Sequence, residues 1–219
     1  MRITLSGHDR IEARPERATL HLEAAREGTD RARVVAETRR IASALQSEIE
    51  ALKVDGGPAT QATTGAISVR SWVPTDRDGH PQEPRHAASI AMTVEFADFD
   101  DLGARAFDRS SRDGVTVGHI DWDLTDDTRS DLEERALTGA LRDATRRARV
   151  LAGAAGEGDV HTVEIADHGM LHCGPGDGGT QPRMARMMVG SAAGGGGEDV
   201  RVEPEDVSVE ARIDVVFEA

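Results

Sequence analysis

The stretch Asp131–Ala155, DLEERALTGALRDATRRARVLAGAA, most constrains what this chain can fold into. Leu137, Leu141, Ala144, Ala148 and Leu151 recur at spacings of four, three, four and three. That period sets them on one side of a helix, and Leu132, Ala136, Ala140 and Ala152 widen the stripe. Glu133, Glu134, Arg142, Asp143, Arg146, Arg147 and Arg149 fall mostly elsewhere. Ser130 followed by Glu133 fits a capping box, and Gly153 and Gly156 supply a stop. A helix of ~25 residues spans about 37 Å, the width of a small domain. Because the stripe is rich in alanine, the sheet face or second helix that covers it must come close. Nothing in the stripe is chemically reactive.

The remaining periodicities supply candidates for that cover. Ile3, Leu5, Gly7, Ile11 and Ala13 predict a strand over about 2–13, with Gly7 allowing a bend. After the turn at Pro15, Ala18, Leu20, Leu22 and Ala24 alternate with Thr19, His21 and Glu23 as a half-buried strand. Gly28-Thr29-Asp30 ends it and caps a helix over Arg31–Lys53, whose stripe is Val34, Thr38, Ile41, Leu45, Ile49 and Leu52. A strand is expected over Thr60–Val73, a hairpin-like loop over 74–84, and a strand over Arg85–Phe96. A shorter helix is expected over Asp98–Arg112, then a strand over Val115–Leu124 with Val117, Ile120, Trp122 and Leu124 as its apolar members. Val160, Val163 and Ile165 mark another strand, and Val200–Phe217 is the last strand region, with Val207, Val209, Ala211, Ile213, Val215 and Phe217 alternating cleanly. Residues 169–199 are rich in glycine and methionine and read as a mobile loop. The order strand, long helix, strand, long loop, strand occurs over 17–96 and again over 115–217, a pattern that suggests a duplicated β-α-β-β unit. The expected fold is α+β: a largely antiparallel β-sheet with two long helices and one short helix, in a single domain over 1–219.

Several stretches carry a resemblance over the whole chain. ITLSGHDRIEARPERATLHLEAAREG, ALQSEIEALKVDGG with TQATTGAISVRSWVP, ASIAMTVEFADFDDLGARAFDRSSRDGV, ALTGALRDATRRARVLAGAAG and PEDVSVEARIDVVFEA follow one another. In that order they resemble the SIMPL-domain family, which includes the YggE-like bacterial proteins. The resemblance implies an α+β fold and, in some members, ring- or channel-like oligomers. It implies no established catalytic residues and no cofactor, and it carries a link to stress. Many bacterial members are exported, whereas MRITLSGHDRIEA enters a strand pattern at once, with no apolar leader segment, so a cytoplasmic location is expected.

Composition narrows the function classes. The net charge is -14, with 40 acidic against 26 basic residues and no basic block, so nucleic acid and anionic membranes are not expected partners. Aromatic residues make up only 3%, which removes the usual stacking platforms for bases and sugars. Cys173 is the single cysteine, so no intrachain disulfide forms. No nucleotide-binding or hydrolase motif is present. The acidic run Asp121–Glu134 lacks the glycine and the terminal glutamate of a calcium loop, since those positions hold Asp126 and Leu132. His161, His168, His172 and Cys173 cluster in sequence without a recognised zinc spacing. Met184, Met187 and Met188 suit adaptable contacts with a protein partner, with a short helix folding back on the core as the equal alternative. The expectation is therefore a non-enzymatic, self-associating scaffold or partner-binding protein. It forms a homo-oligomer through its sheet edges and has no catalytic, cofactor-binding or metal-ligating residues. The alternative is a metal-dependent sensor or enzyme that uses the His/Cys segment 161–173.

Overall fold

A computed structural model describes residues 1–53, 57–99, 102, 112–171 and 203–219. The fold is α+β, with two long helices and antiparallel pairing throughout the described strands. The chain divides into two compact units.

One unit contains β2 (Arg17–Gly28), α1 (Arg31–Glu50), β3 (Ala59–Thr64), β4 (Ser68–Trp72), β5 (Arg85–Phe96) and β6 (Val115–Asp123). Its sheet runs β3-β5-β2-β6, with β4 also paired to β5. The Asp30 carboxylate accepts from the N–H groups of Ala32 and Arg33 at 2.9 and 3.1 Å, which starts α1 where the sequence places it. Val34, Ile41, Leu45 and Ile49 are buried, and Leu45 and Ile49 join Leu20, Leu22, Ile90, Met92, Val94 and Phe96 in one core. Thr38 sits within that interface, its hydroxyl 2.9 Å from the Val34 carbonyl and 3.3 Å from that of Ala88. The single strand expected over Thr60–Val73 is two strands. Between Thr64, paired with Met92, and Ser68, paired with Ser89, the first side holds one residue more than the second, so the ladder breaks after Gly65, whose N–H still donates to the Ala91 carbonyl at 2.8 Å. The short helix expected over Asp98–Arg112 falls almost wholly outside the described residues.

The other unit contains β1 (Arg2–Ala13), α2 (Asp126–Ala154), β7 (His161–Asp167) and β8 (Val207–Glu218). Its sheet runs β1-β8-β7, and β1 pairs with β8 along its whole length, from Arg2↔Glu218 to Ala13↔Val207. The suggested repeat over 115–217 does not form as one unit, because β6 pairs with β2 while β1 takes its place beside β8. Local periodicity specifies a strand but not its partner.

The helix α2 starts five residues before the expected Asp131. Thr125 caps it, with its hydroxyl accepting from the Thr128 N–H at 3.4 Å, and Asp126 and Asp127 lie in the first turn, where the helix dipole favours acids. Ser130 is thus inside the helix, and most of the acidic run Asp121–Glu134 is helical. The buried ridge is Leu132, Ala136, Ala140, Ala144, Ala148 and Ala152, a strict four-residue repeat. Leu137 and Leu151, assigned to the buried stripe on sequence, are exposed. A four-residue ridge is inclined by about 26° to the helix axis, so it suits a helix crossing a twisted sheet.

Gly7 on β1 lies under this ridge. A Cβ there would sit 2.1 Å from the Ala140 carbonyl oxygen and 2.9 Å from the Ala144 Cβ. Gly7 therefore serves close approach, and the bend expected of it is not its role. On the facing side, a Cβ on Gly139 would lie 1.8 Å from an Asp9 carboxylate oxygen. Arg147 fastens the same contact by donating to the Ser6 carbonyl at 2.6 Å. Gly7→Val forces helix and strand backbones apart and is expected to destabilise by about 3 kcal/mol or more. A urea midpoint within experimental error of wild type would refute this account of Gly7.

Candidate functional site

A helix is about 10 Å wide and strands are spaced about 4.8 Å apart, so α2 covers roughly two strands of its three-stranded sheet. It packs on β1 and β8. The third strand, β7, is left open. Among the described residues β7 pairs only with β8, and six of its seven residues are exposed. Val163 is 50% and Ile165 53% exposed, beside Leu137 at 45%. Ile165 pairs with Val215, whose side chain belongs to the core under α2, so Ile165 points to the helix side. The result is a groove of about 500 Å³ lined by Leu137, Thr138, Leu141, Ile165, Ala166, Asp167 and Ile213. The ladder shifts register between Thr162 and Glu164, which leaves Val163 as an unpaired bulge residue. A groove of mixed polar and apolar lining, beside a strand edge that pairs with nothing else among the described residues, is equipped to accept another strand.

The turn that follows β7 is tied down by Asp214 on β8, which is 6% exposed. Its carboxylate accepts from the Ser6 hydroxyl at 2.5 Å and from the Gly169 N–H at 2.7 Å, with His168 Nδ1 at 3.2 Å. Burial pushes the Asp214 pKa up, but these bonds outweigh it and hold the carboxyl below the usual aspartate value. His168 thus has a structural partner. His161 lies at the other end of β7, 3.8 Å from Glu218. A seven-residue strand separates the two histidines by about 20 Å, so they cannot share one metal ion. His172 and Cys173, and the methionines Met184, Met187 and Met188, lie outside the described residues. Sequence reading placed Leu137 inside and gave no reason to single out Ile165. The signal available was the helix itself, whose alanine ridge is too narrow to cover a third strand.

Residues 3–217 match the SIMPL family, described as a protein of unknown function (DUF541). The chain belongs to the SIMPL family. The match spans both compact units. Among curated proteins, this SIMPL protein is similar to the 26 kDa periplasmic immunogenic proteins of Brucella melitensis and Brucella abortus. It is 29% identical to each over 171 residues, which is 76% of this chain and 66% of theirs. Both relatives are named as periplasmic, and this overturns the expectation of a cytoplasmic location. That expectation rested on the opening residues alone, which bear on the compartment only through a leader and not through the fold.

The Asp214 contacts give a pH prediction. A carboxyl whose folded pKa is depressed adds stability that is present above the unfolded value of about 3.9 and is lost as pH falls through the folded value. Asp214→Asn should cost about 1–3 kcal/mol at pH 7 by leaving buried donors poorly matched. The gap from wild type should narrow as pH falls below about 4. Urea denaturation across pH measures both, and a gap independent of pH would show that the Asp214 charge plays no part.

Proposed function

We propose that this SIMPL protein is an exported, self-associating protein that works as a scaffold or by binding a protein partner, without catalysis of its own. The observation that carries this reading is the open β7 edge beside the groove under Leu137 and Ile165. An exposed apolar edge strand is an association hazard unless something covers it. The proposed cover is a second copy of the chain. Two β7 strands set antiparallel about a two-fold axis at Glu164 would place Val163 against Ile165 and His161 against Asp167. Glu164 would meet its own copy there, with Arg2 3.9 Å from it in each protomer. Both grooves would then lie on one face of a continuous six-stranded sheet. The names of the relatives support a periplasmic setting for the assembly.

Light scattering on a sizing column tests this directly. Wild-type protein is expected to run as an assembly, and Ile165→Lys, which places a charge in the groove without touching a buried residue, should run at the monomer mass with an unchanged circular dichroism spectrum. With a net charge of -14, association should also tighten as salt rises. A wild-type monomer at high concentration overturns the reading, as does an Ile165→Lys assembly of wild-type size.

A further inference from the structure

The exposed face of the other unit's sheet holds a second group of side chains. His21 on β2 and His119 and Asp121 on β6 converge so that one potential ligand atom from each lies within 4.8 Å of the others. Both histidines direct Nε2 at the same oxygen. His21 Nε2 is 2.8 Å and His119 Nε2 3.3 Å from Asp121 Oδ2. The two imidazole rings stack, with centroids 4.1 Å apart and planes 16° from parallel.

A bulge builds this arrangement. Leu20 pairs with Ile120 but Leu22 pairs with Val117, so Gly118 and His119 together oppose His21. Val117, Ile120 and Trp122 all pack toward the core. Residues 118 and 119 therefore both fall on the solvent side, and His119 lines up with Asp121 opposite His21. Gly118 keeps the site open, since a Cβ there would crowd the His21 carbonyl oxygen at 3.3 Å and the His21 Cβ at 3.4 Å.

The separations fit metal ligation. Two ligands bound to one ion at about 2.0–2.1 Å in tetrahedral geometry lie about 3.3 Å apart. Both nitrogens stand at about that distance, or less, from the carboxylate oxygen, His21 through a hydrogen bond of 2.8 Å; an ion would replace that bond, and the stacked rings would turn to aim both Nε2 atoms at it. Two imidazoles and one carboxylate suit borderline ions of the zinc class and not calcium or magnesium, which take oxygen ligands. A second group, Asp76, Asp78 and His80, is weaker. Its Asp76 carboxylate accepts from the N–H groups of Asp78 and His80 at 3.0 and 2.8 Å and pins its own turn, and the group offers one imidazole instead of two.

We propose that His21, His119 and Asp121 form a binding site for a divalent transition-metal ion of the zinc class. Three protein ligands leave at least one coordination position for water or for a group supplied by a partner. The site lies on strands other than those of the β7 groove, so it stands or falls apart from the self-association reading.

The test is calorimetric titration of untagged, chelator-treated protein with zinc chloride. One saturable equivalent is expected, undisturbed by excess calcium. His21→Ala and His119→Ala should each weaken it by about tenfold or more while leaving the circular dichroism spectrum unchanged. Bound zinc should also raise the melting temperature of wild type and not of either variant. A His172→Ala, Cys173→Ala double variant should still bind. The absence of saturable zinc binding overturns the proposal, and so does an equivalent that survives in His119→Ala or is lost in the His172/Cys173 double variant.

Discussion

The contact between Gly7 and the alanine ridge of α2 is the constraint on which the rest of its unit depends. The Ala140 backbone sits where a Cβ on β1 would have to be, so no other residue fits at position 7 without moving helix or strand. Close approach of this kind requires small residues on both sides, which accounts for five alanines in succession along the ridge. It also limits what the helix can cover. A helix drawn down onto β1 and β8 cannot reach over β7. The cost of the tight contact is a strand whose apolar side chains face solvent. The open edge and the alanine ridge are therefore two consequences of one packing decision.

Most elements were legible in the sequence because their periods are long and regular. The alternation of Ala18, Leu20, Leu22 and Ala24, the cap at Asp30 and the strand closing at Phe217 all read directly into structure. What local pattern could not give was pairing. Nothing in Val115–Asp123 says that it lies beside β2, and nothing in Arg2–Ala13 says that its partner is the last strand. The α2 stripe was misplaced for a related reason. Leucines at mixed spacings of three and four look like a buried face when apolarity is the only measure. The sheet instead selected the smallest side chains, and the larger Leu137 and Leu151 were displaced to the flanks.

The candidate sites were less legible than the fold, for different reasons in each unit. His161, His168, His172 and Cys173 are close in sequence, yet β7 holds the first two apart, because an extended strand is the least compact way to join two residues. His21 and His119 are far apart in sequence and were brought together by strand pairing. A trace of the second site was present: Val117 and Ile120 are three residues apart in a strand whose other inward positions alternate by two. That irregularity marks a bulge, and a His-x-Asp pair beside a bulge has both side chains on the solvent face. Finding their partner required the register of β2.

The pairing of β1 with β8 also dictates when the first of these surfaces can exist. Ser6 and Asp214 are bonded across 208 residues of chain, and the whole β1 ladder is of comparable span. Contacts of such separation form late, since the chain must close a very long loop before they contribute. The strands β2 to β6 lie within one continuous stretch of sequence, so their pairing needs no such closure. It can fold while β1 and α2 still lack β8, their shared partner. During that interval the alanine ridge has no complete sheet to pack on, and β7 lacks β8, its one strand partner among the described residues. The face that carries His21, His119 and Asp121 can therefore be complete before β7 gains β8 as its neighbour.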